Sequence, residues 1–104
     1  MADKYRALIE VKNEMMYRYL TLNDGTEVVH SDVLSDGRVK VFFERLDAKC
    51  GFHNGTCYLP DYTWSDVSGF SEEDMERNER LLKDVAHIIF ELAQEGGFDH
   101  LSDS

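Results

Sequence analysis

The chain has 104 residues, a formal net charge of -10 and 42% hydrophobic residues. That length suits one domain with a modest core, and the composition excludes a disordered chain. No apolar run approaches the ~20 residues that span a bilayer, and residues 1–12 lack the apolar stretch of a signal peptide. The expected location is therefore cytoplasmic, where Cys50 and Cys57 would remain thiols and the Asn54-Gly55-Thr56 glycosylation pattern has no meaning.

Tyr5, Ala7, Ile9 and Val11 share one parity, which reads as a strand over residues 5–12 with one buried face. Asn13-Glu14 makes a short turn into a second strand over 15–22, with Tyr17 and Tyr19 on one face and Met16, Leu20 and Leu22 on the other. Asn23-Asp24-Gly25-Thr26 is a hairpin signal of the type I′ kind, whose two central residues tolerate positive φ. A third strand follows over 27–33, and Ser35-Asp36-Gly37-Arg38 repeats the hairpin signal. The fourth strand, 39–45, places Val39, Val41 and Phe43 on one face. Residues 46–55 read as a longer loop, and 56–59 as a short fifth strand that Pro60 ends, since proline donates nothing to a ladder. Residues 61–69 read as a polar loop carrying Tyr62 and Trp64.

From Ser71 to Gly97 the pattern is one amphipathic helix, its core spanning 72–95. Ser71 and Asp74 have capping-box spacing, and Phe70 and Met75 hold the positions of a hydrophobic staple. Glu72, Glu73 and Asp74 put negative charge at the positive end of the helix dipole. Gly96-Gly97 ends the helix. Leu81, Leu82, Val85, Ala86, Ile88, Ile89, Leu92 and Ala93 fill one broad arc, a core-facing stripe. The expected fold is α+β in one domain, 1–104: an antiparallel β-meander of four to five strands within residues 5–59, covered on one face by the C-terminal helix, 72–95.

The charge is uneven. Residues 1–60 hold nine acids and eight bases, whereas residues 61–104 hold twelve acids and three bases. Glu73–Arg77, Glu76–Arg80 and Glu79–Lys83 are i,i+4 pairs in the favoured order and account for part of the acidity. Glu91 and Glu95 do not fit that account, because they stand where the helix dipole favours cations.

Few constellations could carry chemistry. Cys50, His53 and Cys57 are the only soft-ligand set, and would make a small metal- or ligand-binding protein if they met. Their spacing matches no standard zinc motif, so no metal and no cofactor is expected. Asp84, His87 and Glu91 share a helix face but lack a second helix to complete a coordination shell. His30 and Asp32 read as surface residues of the third strand. No nucleophile elbow, phosphate loop or zinc-protease motif is present, so the expectation is a protein without enzymatic activity. Direct nucleic-acid binding is disfavoured for want of a cationic footprint.

The remaining signal is an acidic surface around aromatic residues, formed by Asp61, Tyr62, Trp64, Asp66, Glu76, Asp84, Glu91 and Glu95. Acids around aromatic anchors suit a basic protein partner. The expectation is an interaction module, monomer or homodimer, and in its sharpest form an inhibitor that occupies the nucleic-acid channel of a basic processing enzyme. In size, acidity and lack of catalytic motifs the chain resembles the small inhibitors of phages and mobile elements, including anti-restriction and anti-CRISPR proteins. That likeness is one of composition and transfers no residues. Two other readings are the metal- or ligand-binding protein above, and an accessory subunit that dimerises through Trp64 and the open sheet. The fallback contact surface is Arg18, Leu20, His30 and Phe42.

Overall fold

The computed structural model describes residues 16–49 and 51–95. The strand expected over 5–12, Cys50 and the Gly96-Gly97 helix stop lie outside the described residues. The elements are β1 (Met16–Thr21), β2 (Glu27–Val33), β3 (Val39–Asp47), β4 (Gly51–Leu59), β5 (Thr63–Ser68) and α1 (Glu72–Glu95). The strands form one sheet in the order β1-β2-β3-β4-β5, every neighbour antiparallel. α1 packs chiefly over β2 and β3, which makes the two-layer α+β meander expected from the sequence.

The turns that join the strands differ in type from the expectation. Leu22 N donates to Thr26 O at 2.8 Å and Gly25 N to Leu22 O at 2.9 Å, and Leu34, Gly37 and Arg38 repeat the pattern at 2.7 and 2.9 Å. Gly25 and Gly37 have φ of 91° and 87°, while neither Asn23-Asp24 nor Ser35-Asp36 has positive φ. Each loop therefore has three residues and closes on a left-handed glycine; neither is a two-residue type I′ turn. Asp24 and Asp36 support the loops by accepting from the amides of Thr26 and Arg38.

Residues 46–55 are not a long loop. β3 and β4 pair without interruption from Val39↔Leu59 to Asp47↔Gly51. Alternation in β4 sets His53, Gly55, Cys57 and Leu59 inward; Gly and His broke the apolar pattern, not the strand. Residues 61–69 are likewise not a loop but contain β5, which pairs with β4 from Tyr58↔Thr63 to Asn54↔Ser68. A register shift and Asp66 at φ 55° interrupt that ladder, which is why its alternation is short.

α1 begins as its sequence dictates. Asp74 N donates to Ser71 Oγ at 3.1 Å and Ser71 N donates to Asp74 Oδ2 at 3.2 Å, a reciprocal capping box. Phe70, just before the cap, lies 5.8 Å from the His53 ring and beneath the Arg45 guanidinium. Gly69 is required here: a Cβ at its φ of 86° would sit 2.2 Å from His53 Nδ1.

The core lies between α1 and one sheet face. Val28, Val39, Val41, Phe43, Cys57 and Leu59 meet Leu82, Ile89 and Ala93, with Leu20, Trp64, Phe70 and Val85 at the margin. Ile88, placed in the inward arc by its spacing, instead turns to solvent. Val29, Lys40 and Thr56, on the sheet face away from α1, are buried as well. Leu20 pairs with Val28 and His30 with Val41, so both side chains lie on the helix side. Arg18, Leu20, His30 and Phe42 thus do not share a face, and His30 is fully buried, not a surface residue.

Ile89 is fully buried between the layers, so Ile89→Ala should cost about 2–5 kcal/mol through lost transfer energy plus a cavity. A denaturant titration of the purified variant measures this directly. A midpoint equal to that of the parent would contradict the packing.

Candidate functional site

The residues singled out by charge and aromatic content fall into two groups. Asp61, Tyr62, Trp64 and Asp66 form the corner where the chain passes from β4 to β5. Tyr62 N closes that corner on Tyr58 O at 2.7 Å, and Tyr62 takes φ 58° to do so. Asp61 is exposed and faces Arg38 at 3.6 Å. Trp64 is half-buried and turned toward α1, because it pairs with inward-facing Cys57. Its ring stands 5.5 Å from the Phe43 ring, and its Nε1–H donates to Glu79 Oε1 at 3.0 Å. Gly55 lies beside the indole, where a Cβ would rest 3.5 Å away in ordinary contact. Trp64 therefore joins β5 to the middle of α1. It also edges a groove of about 350 Å³ lined by Met75, Glu76, Glu79, Arg80 and Lys83. The hydrogen bond from Trp64, aided by Lys83, holds the Glu79 carboxyl below its ordinary value.

Glu76, Asp84, Glu91 and Glu95 all lie on the exposed face of α1. The helix carries eight acids and three bases, and all three bases precede Asp84. Of the three i,i+4 pairs expected from spacing, only Glu79–Lys83 forms among the described residues, at 3.4 Å. Arg77 turns inward instead of toward Glu73. Its guanidinium donates to Asp24 Oδ2 at 2.7 Å and to Asn78 Oδ1 at 2.9 Å. Arg45 also donates to Asp24, and reaches Asp74 at 3.2 Å. This cluster ties the β1–β2 turn, β3 and the first turns of α1 together. Desolvation pushes Asp24 up, but hydrogen bonds from Arg77 and Thr26 and the charge of Arg77 outweigh it, and its carboxyl sits well below the usual range. Asp74 is lowered too, burial again being outweighed by Ser71 and Arg45.

The consequence is a division along the helix. Its first half contributes arginine to an ion-pair cluster and lysine to Glu79. Its second half presents Asp84, Glu91 and Glu95 with no hydrogen bond or ion pair among the described residues, around exposed His87 and Ile88. The last turn contains no base to offset the negative end of the helix dipole.

The weak metal set does not converge among its described members. His53 and Cys57 share one face of β4 but are four residues apart, about 13 Å along an extended strand. His53 Nε2 faces Asp47 at 3.8 Å, and Cys57 Sγ contacts the Tyr58 carbonyl. Burial, with the charge of Glu79, pushes the Cys57 thiol up to about 12, which leaves it protonated and unreactive at neutral pH. Asp84, His87 and Glu91 lie on open surface.

Sequence reasoning missed the Asp24–Arg45–Asp74–Arg77 cluster. Asp24 and Arg77 are 53 residues apart, and no local pattern joins a turn residue to a helix residue at that separation. Comparison of the chain with protein-family models, with curated proteins and with solved structures gave no match.

Asp24 carries two guanidiniums, so Asp24→Asn should cost about 1–2 kcal/mol, the value of a charge-assisted bond discounted for solvent screening. Because its folded pKa is depressed, the stabilisation is present above about pH 4 and lost as pH falls through the carboxylate range toward the folded value. Denaturant midpoints measured from pH 7 to pH 2 should fall less steeply in the variant than in the parent. Parallel curves would remove Asp24 from the account.

Proposed function

We propose that this chain is a non-enzymatic interaction module whose exposed α1 face binds a basic protein surface. The observation that carries this reading is the second half of α1. Asp84, Glu91 and Glu95 are exposed and have no ion-pair partner among the described residues, and Glu91 and Glu95 crowd the helix end where acids are least favourable. Local stability does not favour such an arrangement, whereas capture of a cationic partner does. Glu91 and Glu95 stand one turn apart, about 6 Å along the helix axis. Exposed carboxylates in a row present the sign of charge that phosphates do, which supports the sharper form of the proposal: the module occupies the nucleic-acid channel of a DNA- or RNA-processing enzyme. Trp64 and Glu76 extend the surface into the groove between β5 and α1, with Asp61, Tyr62 and Asp66 at the neighbouring β4–β5 corner.

Interactions of this kind are fast and salt-sensitive, because complementary charge steers encounter and is screened beyond about 10 Å at 0.1 M salt. Immobilised protein, loaded with lysate and washed in stepped salt, should retain a basic nucleic-acid-processing enzyme that elutes at moderate salt. Glu91→Lys combined with Glu95→Lys should keep the fold, since both sites are exposed, and should abolish retention. Equal retention and equal salt dependence in the double variant would show the acidic face to be a solubilising surface. Trp64→Ala is a poor probe by comparison, because the indole also holds β5 to α1.

A further inference from the structure

His30 is a fully buried titratable group that the proposed function does not use. Its Nδ1 lies 2.9 Å from the Ser31 carbonyl. A carbonyl only accepts, so Nδ1 carries the proton of the neutral ring and Nε2 is the bare nitrogen. Nε2 is buried and has no hydrogen-bond partner among the described residues. A bare lone pair is tolerated there, but a protonated Nε2 would bury a charged donor with nothing to accept it.

The groups facing the ring do not supply an acceptor. From β1 comes Tyr17, ring centroid 5.5 Å away, whose hydroxyl is engaged by Asp32. On β2 the charged neighbour is Asp32, whose attraction is outweighed by burial, so the imidazole sits below its ordinary value. Across β3 lies Val41. α1 brings apolar Leu82, Ile89 and Ala93 to the sheet, while Asp84, Glu91 and Glu95 are exposed.

An imidazolium at this position must reach water, and the elements around it differ in how easily they yield. β2 is fastened to β3 at its bulge, where Lys40 N donates to Ser31 Oγ at 3.0 Å and Ser31 Oγ donates to the Asp32 carbonyl at 2.7 Å. β3 and α1 hold the fully buried Val41, Phe43, Leu82 and Ile89. Among the described residues β1 is an edge strand, with no fully buried residue and a register irregularity between Arg18 and Leu20. Local opening draws on such weakly buried elements. We propose that His30 is an acid-sensitive latch: protonation of Nε2 releases β1 from β2, while β3, β4 and α1 stay packed.

Amide hydrogen exchange on the full chain at pH 7.5 and pH 5.0, expressed as protection factors corrected for intrinsic rates, tests this. Residues 16–21 should lose protection by about tenfold or more, as an element that opens locally does, while residues 41–43 and 55–57 keep theirs. In His30→Gln the protection of β1 should no longer depend on pH. Should that variant not fold, the parent protein still decides the matter, because the ring carbon resonance of His30 must titrate with the same midpoint as the loss of β1 protection. The proposal is overturned if β1 keeps its protection at pH 5.0, if all strands lose it by the same factor, or if the loss follows the titration of His53 or exposed His87 instead.

Discussion

Burial of Leu82, Ile89 and Ala93 against Val28, Val41, Phe43 and Leu59 is the constraint on which the rest of this structure depends. Each fully buried aliphatic or aromatic side chain contributes about 1.5–3 kcal/mol, and the strands alone offer no second layer on that side. Once this face of α1 is fixed inward, the helical period fixes what points outward. Glu76, Asp84, Glu91 and Glu95 are exposed because Leu82, Ile89 and Leu92 are not. The surface proposed for the partner is therefore set by the core and does not rest on a mobile loop.

The same packing sorts the charges. At its N-terminal end, α1 brings Asp74 and Arg77 against Arg45 and the β1–β2 turn, and the four charges around Asp24 neutralise one another at the margin of the core. Glu79 is held by Trp64 and Lys83. No lysine or arginine follows Lys83 in the chain, so the C-terminal half of α1 holds none to pair with its own acids. A chain with nearly all of its net charge in residues 61–104 thus concentrates unpaired acid over a still shorter stretch. Steering by such a field reaches about a Debye length and acts before contact.

Much of the architecture was legible because its signals are local. Alternation in Val39, Val41 and Phe43, glycine at the loop positions 25 and 37, and the Ser71/Asp74 box each act within a few residues. What was not legible depends on partners distant in sequence. β4 was read as a loop because Gly51, His53 and Gly55 interrupt its apolar alternation, yet each has a reason to be there. Gly51 takes φ 87° in the hairpin, His53 packs under Gly69 and Phe70, and Gly55 is buried beside the Trp64 indole. β5 was hidden by its polar, bulged sequence, which also suits an edge strand that must not attract others. His30 was read as surface because a histidine in a strand carries no mark of which face it occupies. Its burial follows only from pairing with Val41. The exposed acids of α1 were legible as a group, but Arg77 was assigned to Glu73 when its partner is Asp24.

The central claim is that charge is neutralised around Asp24 and left unpaired along the second half of α1. Paramagnetic relaxation of backbone amides by a small cationic nitroxide, divided by that from an anionic nitroxide of the same size, reads the local potential residue by residue. The account predicts a high ratio from residue 84 to residue 95 and a ratio near unity around Asp24, Arg45, Asp74 and Arg77. Equal ratios along the whole of α1 would contradict it.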